Sequence, residues 1–287
     1  MRQRKDAYLN MEKNTLLAIL LSTAFLIFWY SFAAKNRPGS VMEKPSYSAE
    51  SHPEEAKKTD LPETKEIKTA GLKAKEVLVE TPHVRIVFNT RSAGITKWEI
   101  KDISGWVDLV MLTKESLMPL ETFPGITFLP SVNSLNLTAE EESGEISFTA
   151  LTDDGVHITK TFHIDARSYM AGLDLALKNT GRGVVAVPDW SIGWGPGLNT
   201  TEREQKENSR HLRSIGFGQG KLVKLRTHET HSEVFKWAAI DNRYFLAALI
   251  PIDVKDYTCL KASTEKKSPP SFSWHASTTL LPGEEKT

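Results

Sequence analysis

Hydrophobic residues are distributed along this chain in two unlike ways. Asn14 to Ala34 form a continuous apolar run without a charge, whereas from Lys75 onward apolar and polar positions alternate. The core of the first run, Leu16 to Phe32, holds ten Leu, Ile or Phe residues. Each of these favours the bilayer centre by about 0.3–0.6 kcal/mol. As a helix the run would be about 31 Å long, the thickness of a hydrocarbon core. Phe28, Trp29, Tyr30 and Phe32 at its far end suit an interfacial aromatic belt. The run therefore predicts one membrane anchor over residues 14–34. A cleaved signal peptide is the competing reading, because Arg2, Arg4, Lys5 and Lys13 precede the run and Ser31-Phe32-Ala33 could be processed. The length of the run and its crowded aromatics favour retention. Four Lys/Arg precede the span and three follow closely (Lys35, Arg37, Lys44), so charge barely orients it. A long following domain can cross regardless, which leaves residues 1–13 inside as the expectation. Both Met1 and Met11 are possible starts.

The alternation after Lys75 has period two, the signature of strands with one buried face. Val84, Ile86 and Phe88 share a face, Thr90–Gly94 punctuates, and Trp98 and Ile100 continue on a common side. Ile146, Phe148 and Ala150 alternate, Asp153-Asp154-Gly155 turns, and Val156, Ile158, Phe162 and Ile164 alternate again. Asp-Gly between two alternating runs is a strong hairpin signal. Leu173, Leu175 and Leu177 predict a further strand, and Asn179–Gly183 turns it into Val184–Val187, which Pro188 should end. Phe235–Ile252 reads as two strands broken at Asp241-Asn242. Thr200–Leu212 alone looks helical or loop-like. Short strands over some 210 residues imply one large antiparallel sandwich over residues 75–287, with no internal repeat.

Between anchor and sandwich, residues 35–74 hold four prolines, eight Lys/Arg against seven Asp/Glu, and one aromatic. Such a stretch buries too little apolar surface to offset its ordering entropy and predicts a tether. Forty residues of coil span on the order of 35 Å. The whole chain has 36 basic and 36 acidic side chains, so no global field draws nucleic acid. The single cysteine, Cys259, excludes an internal disulfide and a cysteine zinc site.

Candidate chemistry is sparse. His228-x-x-His231 is the closest histidine pair, but on a strand these residues point to opposite faces, so no metal is expected. Gly193-Trp194-Gly195-Pro196-Gly197 lacks the strand, helix and Lys-Ser/Thr of a phosphate cradle. It reads as a loop that lays an indole on the sandwich. Gly216–Gly220 reads as a turn before a strand over 221–226. No Ser-His-Asp set follows from the sequence, and neither catalysis nor a cofactor is expected. Trp190, Trp194 and Trp237 are the candidate residues of a ligand or partner cleft.

Met11-Glu12-Lys13-Asn14-Thr15-Leu16-Leu17 entering one span, Val84–Lys101, Trp194-Gly195-Pro196-Gly197-Leu198 and above all Lys236–Pro251 (KWAAIDNRYFLAALIP) carry a resemblance. They resemble the N-terminal portion of bacterial membrane protein insertases of the YidC family. The resemblance implies an uncleaved span, a periplasmic, galactose mutarotase-like β-supersandwich, and an inner-membrane location. It also implies three partners: lipid, the Sec translocon with its accessory subunits, and nascent membrane proteins. The family's five further helices, which form its insertion groove, have no counterpart here: no apolar run of fifteen residues follows residue 34. Leu280–Glu284 resembles the turn before the sandwich's last strand, which the chain is expected to lack. The competing class is an anchored sandwich that binds carbohydrate or peptide, with exposed indoles stacking on sugars.

Overall fold

The computed structural model describes residues 73–103, 105–113, 117–200, 207, 210–226, 229–252, 257–262 and 269–287. The expected anchor and nearly all of the expected tether lie outside them, as do His228 and most of Thr200–Leu212. Among the described residues no helix is long and apolar enough to cross a membrane.

The alternating pattern folds as four sheets, antiparallel except where β1 meets β6. The first orders β4 (Gly105–Asp108), β3 (Gly94–Asp102), β2 (Val84–Asn89), β1 (Glu76–Glu80) and β6 (Ser134–Asn136). The second orders β18 (Glu285–Lys286), β9 (Ala171–Asn179), β8 (Val156–Asp165), β7 (Ser143–Leu151) and β5 (Leu129–Pro130). The third orders β10 (Val185–Trp194), β17 (Phe272–Leu280), β16 (Cys259–Ala262) and β13 (Thr230–His231). The fourth orders β12 (Lys221–Leu225), β11 (Arg213–Gly218), β14 (Phe235–Asp241) and β15 (Leu246–Leu249). The fold is mainly β, as the periodicity predicts.

Facing side chains build the core between these sheets. Phe88 of β2 packs against Phe148 of β7 and Phe162 of β8, with ring centroids 5.2 and 4.6 Å apart. These are contact distances for aromatic pairs. Trp98 of β3 meets Trp194 of β10 edge-on at 5.9 Å, which joins the first sheet to the third. Val84, Ile86, Ile146, Ile158 and Leu177 are all buried, as alternation requires. The β7–β8 hairpin turns where Asp-Gly stands, and Gly155 supplies the positive φ (+79°).

Two local readings are corrected. Pro188 does not end its strand: β10 continues to Trp194, and its register against β17 shifts between Val187 and Trp190. A bulge there absorbs both the missing N–H of Pro188 and the positive φ of Asp189 (+42°). Gly216–Gly218 are strand rather than turn, because the ring of Phe235 occupies the space over Gly216. The turn is Gln219-Gly220, both at positive φ, the mirror-image turn that matches strand twist.

Candidate functional site

The three candidate tryptophans take different environments. Trp194 is buried, and its Nε1–H donates to the Gly197 carbonyl at 3.2 Å. Trp190 is half-buried between Phe123 and Tyr257 and donates to Thr278 Oγ1 at 3.1 Å. Trp237 lies on the fourth sheet, stacked on Phe217 at 5.9 Å with the rings 10° from parallel. Trp190 and Trp194 thus share the inward face of β10, whereas Trp237 belongs to a separate face.

That separate face is the outer side of the fourth sheet. Register pairs Leu222 with Phe217 and Phe217 with Trp237, giving one apolar row across three strands. Two residues along lie Lys224, Ile215, Ala239 and Ala248, and then Arg213, Asp241 and Leu246. At this charged end a cleft of about 360 Å³ is lined by Arg210, Arg213, Lys224, Asp241, Asn242 and Arg243, together with His211 and Leu212. Arg213 grips Asp241 through two parallel bonds, Nε–Oδ1 at 2.8 Å and Nη2–Oδ2 at 2.8 Å. The carboxylate holds the guanidinium firmly charged, above its already high ordinary range. Arg243 pairs with Glu207 at 3.0 Å.

The turn between β14 and β15 shows why Asp241-Asn242-Arg243-Tyr244 reads as it does. Asn242 Oδ1 accepts from the Tyr244 and Phe245 amides, each at 2.8 Å. Its Nδ2 reaches the carbonyls of Leu198 and Asn199 at 3.4 and 3.3 Å. One side chain therefore ties the turn to the loop after Trp194. Asn242→Ala is expected to lower unfolding stability by about 1–3 kcal/mol, since half-buried backbone groups lose their partners. Urea denaturation would check this, with Tyr244→Ala, expected to cost less, as the comparison.

One constellation escaped the sequence. Asp189 Oδ1, His275 Nδ1 and Nε2, and Ser273 Oγ form a chain with steps of 2.9 and 3.0 Å. Hydrogen bonding to His275, with the charges of His275 and Lys261, holds the Asp189 carboxyl below its usual range. An ionised carboxylate only accepts, so Nδ1 carries a proton toward it. Asp189 enters this set through the Pro188–Asp189 bulge, and reading Pro188 as a strand end hid it. The order matches a nucleophilic triad, but Ser273 sits in an inner strand paired with Gly193 on one side and Lys261 on the other. Its neighbouring amides are taken up by the ladder rather than aimed at a reacting oxyanion. The chain orients side chains on the sheet.

Other titratable groups are likewise held within the sheets. His163 bridges Asp174 and Glu145 across three strands at 2.9 and 2.8 Å, and these partners, Asp174 first, raise its pKa. His231 lies between Glu233 and Glu229. Among the described residues no three His, Cys, Asp or Glu side chains are placed to hold a metal ion.

These features define a β-sandwich domain. Residues 109–287 match the family described as the YidC periplasmic domain, and the chain belongs to that family. It is 30% identical over 269 residues to "Membrane protein insertase YidC" of Endomicrobium trichonymphae, covering 90% of this chain and 49% of that protein. The protein of the same name from Geobacter metallireducens is 25% identical over 306 residues, covering 96% of this chain and 56% of that one. The chain thus spans about half the length of these curated relatives. Among solved structures it is similar to a galactose mutarotase-like protein from Lactobacillus casei at 12% identity and a TM-score of 0.46, covering 74% of this chain and 97% of that one.

Proposed function

We propose that this chain is the anchored periplasmic portion of a bacterial membrane protein insertase and carries no catalysis of its own. In this reading residues 1–13 stay in the cytoplasm, residues 14–34 span the inner membrane, residues 35–74 form a tether, and the sandwich from residue 75 stands in the periplasm. The observation that carries it is the family match over residues 109–287, together with relatives named as insertases along most of the chain. The apolar run at Asn14–Ala34 agrees with it. Because the chain aligns with about half of each relative, we assign the insertion step to the remaining half. The partners of the complete protein are then nascent membrane segments, lipid, and the Sec translocon with its accessory subunits. Trp190, Trp194 and Trp237 divide accordingly: the first two support the sandwich interior, and Trp237 faces a partner.

The test is complementation in a strain depleted of its own insertase. Expression of these 287 residues is expected to give no growth rescue. A chimera joining them to the remaining half of the Endomicrobium relative is expected to restore growth. Rescue by the 287 residues alone would overturn the reading.

A further inference from the structure

Along its strands, the outer face of the fourth sheet runs from an aromatic row to a row that sets the Arg213–Asp241 pair beside exposed Leu246. Leu222, 59% exposed, adjoins Phe217, which stacks on Trp237. Ile250, 65% exposed, follows β15 directly. Arg213 and Arg243, each tied to a carboxylate, sit at the other end, where the cleft also takes in Arg210 and, from the row between, Lys224. Rows two residues apart on a strand are separated by about 6.6 Å, so the aromatic and guanidinium rows lie roughly 13 Å apart. A face that sets aromatic and cationic side chains next to one another suits a bilayer surface, where apolar side chains enter the acyl boundary and cations stay at the phosphates.

We propose that this face rests on the anionic phospholipid surface of the membrane that anchors the chain. Trp237, Phe217 and Leu222 reach the acyl boundary, and Arg210 and Lys224 meet lipid phosphates. The inference rests on the anchored reading given above. Two arguments select lipid as the occupant. The cations of the cleft complement anionic headgroups. A tether of about 35 Å also keeps the sandwich within reach of the bilayer, so even a weak surface affinity operates at high effective concentration.

The experiment uses the full chain, reconstituted in vesicles of phosphatidylcholine with or without phosphatidylglycerol. A fluorophore is placed at Leu222→Cys in a Cys259→Ser background, with Asp153→Cys in the β7–β8 turn as the reference position. A headgroup-level quencher lipid reports depth. Quenching is expected at position 222 only, and only with phosphatidylglycerol present. Each surface cation is worth roughly fivefold in membrane affinity, so Arg210→Glu with Lys224→Glu should cut the docked-to-free ratio by at least about 25-fold. Equal quenching at both positions, or indifference to phosphatidylglycerol and to charge reversal, would overturn the proposal. So would quenching that scales with protein density, which identifies a second copy. Displacement by inorganic phosphate at constant ionic strength would mark a free-anion site and also overturn it. Flotation of the chain with the vesicles, scored separately, tests whether the anchor is retained.

Discussion

The sandwich is expected to gain stability as pH rises from about 7 toward 10, and Lys160→Met is expected to abolish most of that gain. Lys160 lies on β8 with its side chain fully buried. Its Nζ donates to the carbonyls of Ala93 at 2.8 Å and Leu120 at 2.6 Å. Both residues have positive φ, +43° and +56°, and so present their carbonyls to the amine. Burial is the largest influence on Lys160 and lowers its pKa to about 7, against a smaller opposing pull from Glu121. In the unfolded chain the amine titrates near 10.5. Below about 7 it is charged in both states, and folding bears the full cost of taking that charge out of water. Between the two values the unfolded chain binds more protons, so stability rises with pH. Above 10.5 the amine is neutral in both states and the cost is gone. The span corresponds to as much as ~5 kcal/mol. Urea titrations of both proteins at several pH values would measure it. The stability difference, wild type minus variant, should grow steadily from pH 7 to 10; parallel curves would show that Lys160 is not the group responsible.

The same residue marks a boundary of what the sequence discloses. In Val156–Asp165, Lys160 falls on the inward phase of the alternation, beside Ile158 and Phe162. Period two places it in the core, yet composition alone would send a lysine outward. What resolves the conflict is a pair of carbonyls from turns 67 and 40 residues away in sequence. Such partners have no local signature. The β7–β8 hairpin and the β14–β15 pair were legible because alternation and turn residues lie within one short window. Pro188 misled for the opposite reason: a proline ends a strand by local rules, but a bulge accommodates it when β17 continues to pair on both sides. With the bulge unseen, the Asp189–His275–Ser273 chain could not be seen either. The outer face of the fourth sheet was half legible. Trp237 is a candidate cleft residue from sequence, but its row with Phe217 and Leu222 needs the β11–β12 register. That register begins at Gln219-Gly220, inside a glycine-rich stretch whose strand residues looked like turn.

The largest effect of a single methyl group is expected at Gly193. It pairs with Ser273 in the β10–β17 ladder, and a side chain there would run into the Phe272 carbonyl oxygen and the Ser273 backbone. The obstruction is backbone of an inner strand, which has no rotamer by which to yield. Gly193→Ala must therefore pry β10 from β17. The next residue is Trp194, buried against Trp98, and the Gly193 carbonyl accepts the Leu120 amide at 2.8 Å. Displacing the strand thus disturbs the link between the first and third sheets and the loop that presents Leu120 to Lys160. A loss of more than about 4 kcal/mol is expected, a large part of the 5–15 kcal/mol typical of a folded domain. Gly220→Ala supplies the contrast. Its φ of +74° makes any side chain strained, but open space surrounds the position. It should cost about 1 kcal/mol. Thermal unfolding of both variants, followed by tryptophan fluorescence, separates the two causes. If Gly193→Ala melts no lower than Gly220→Ala, the close approach of β10 to β17 is not what requires the glycine.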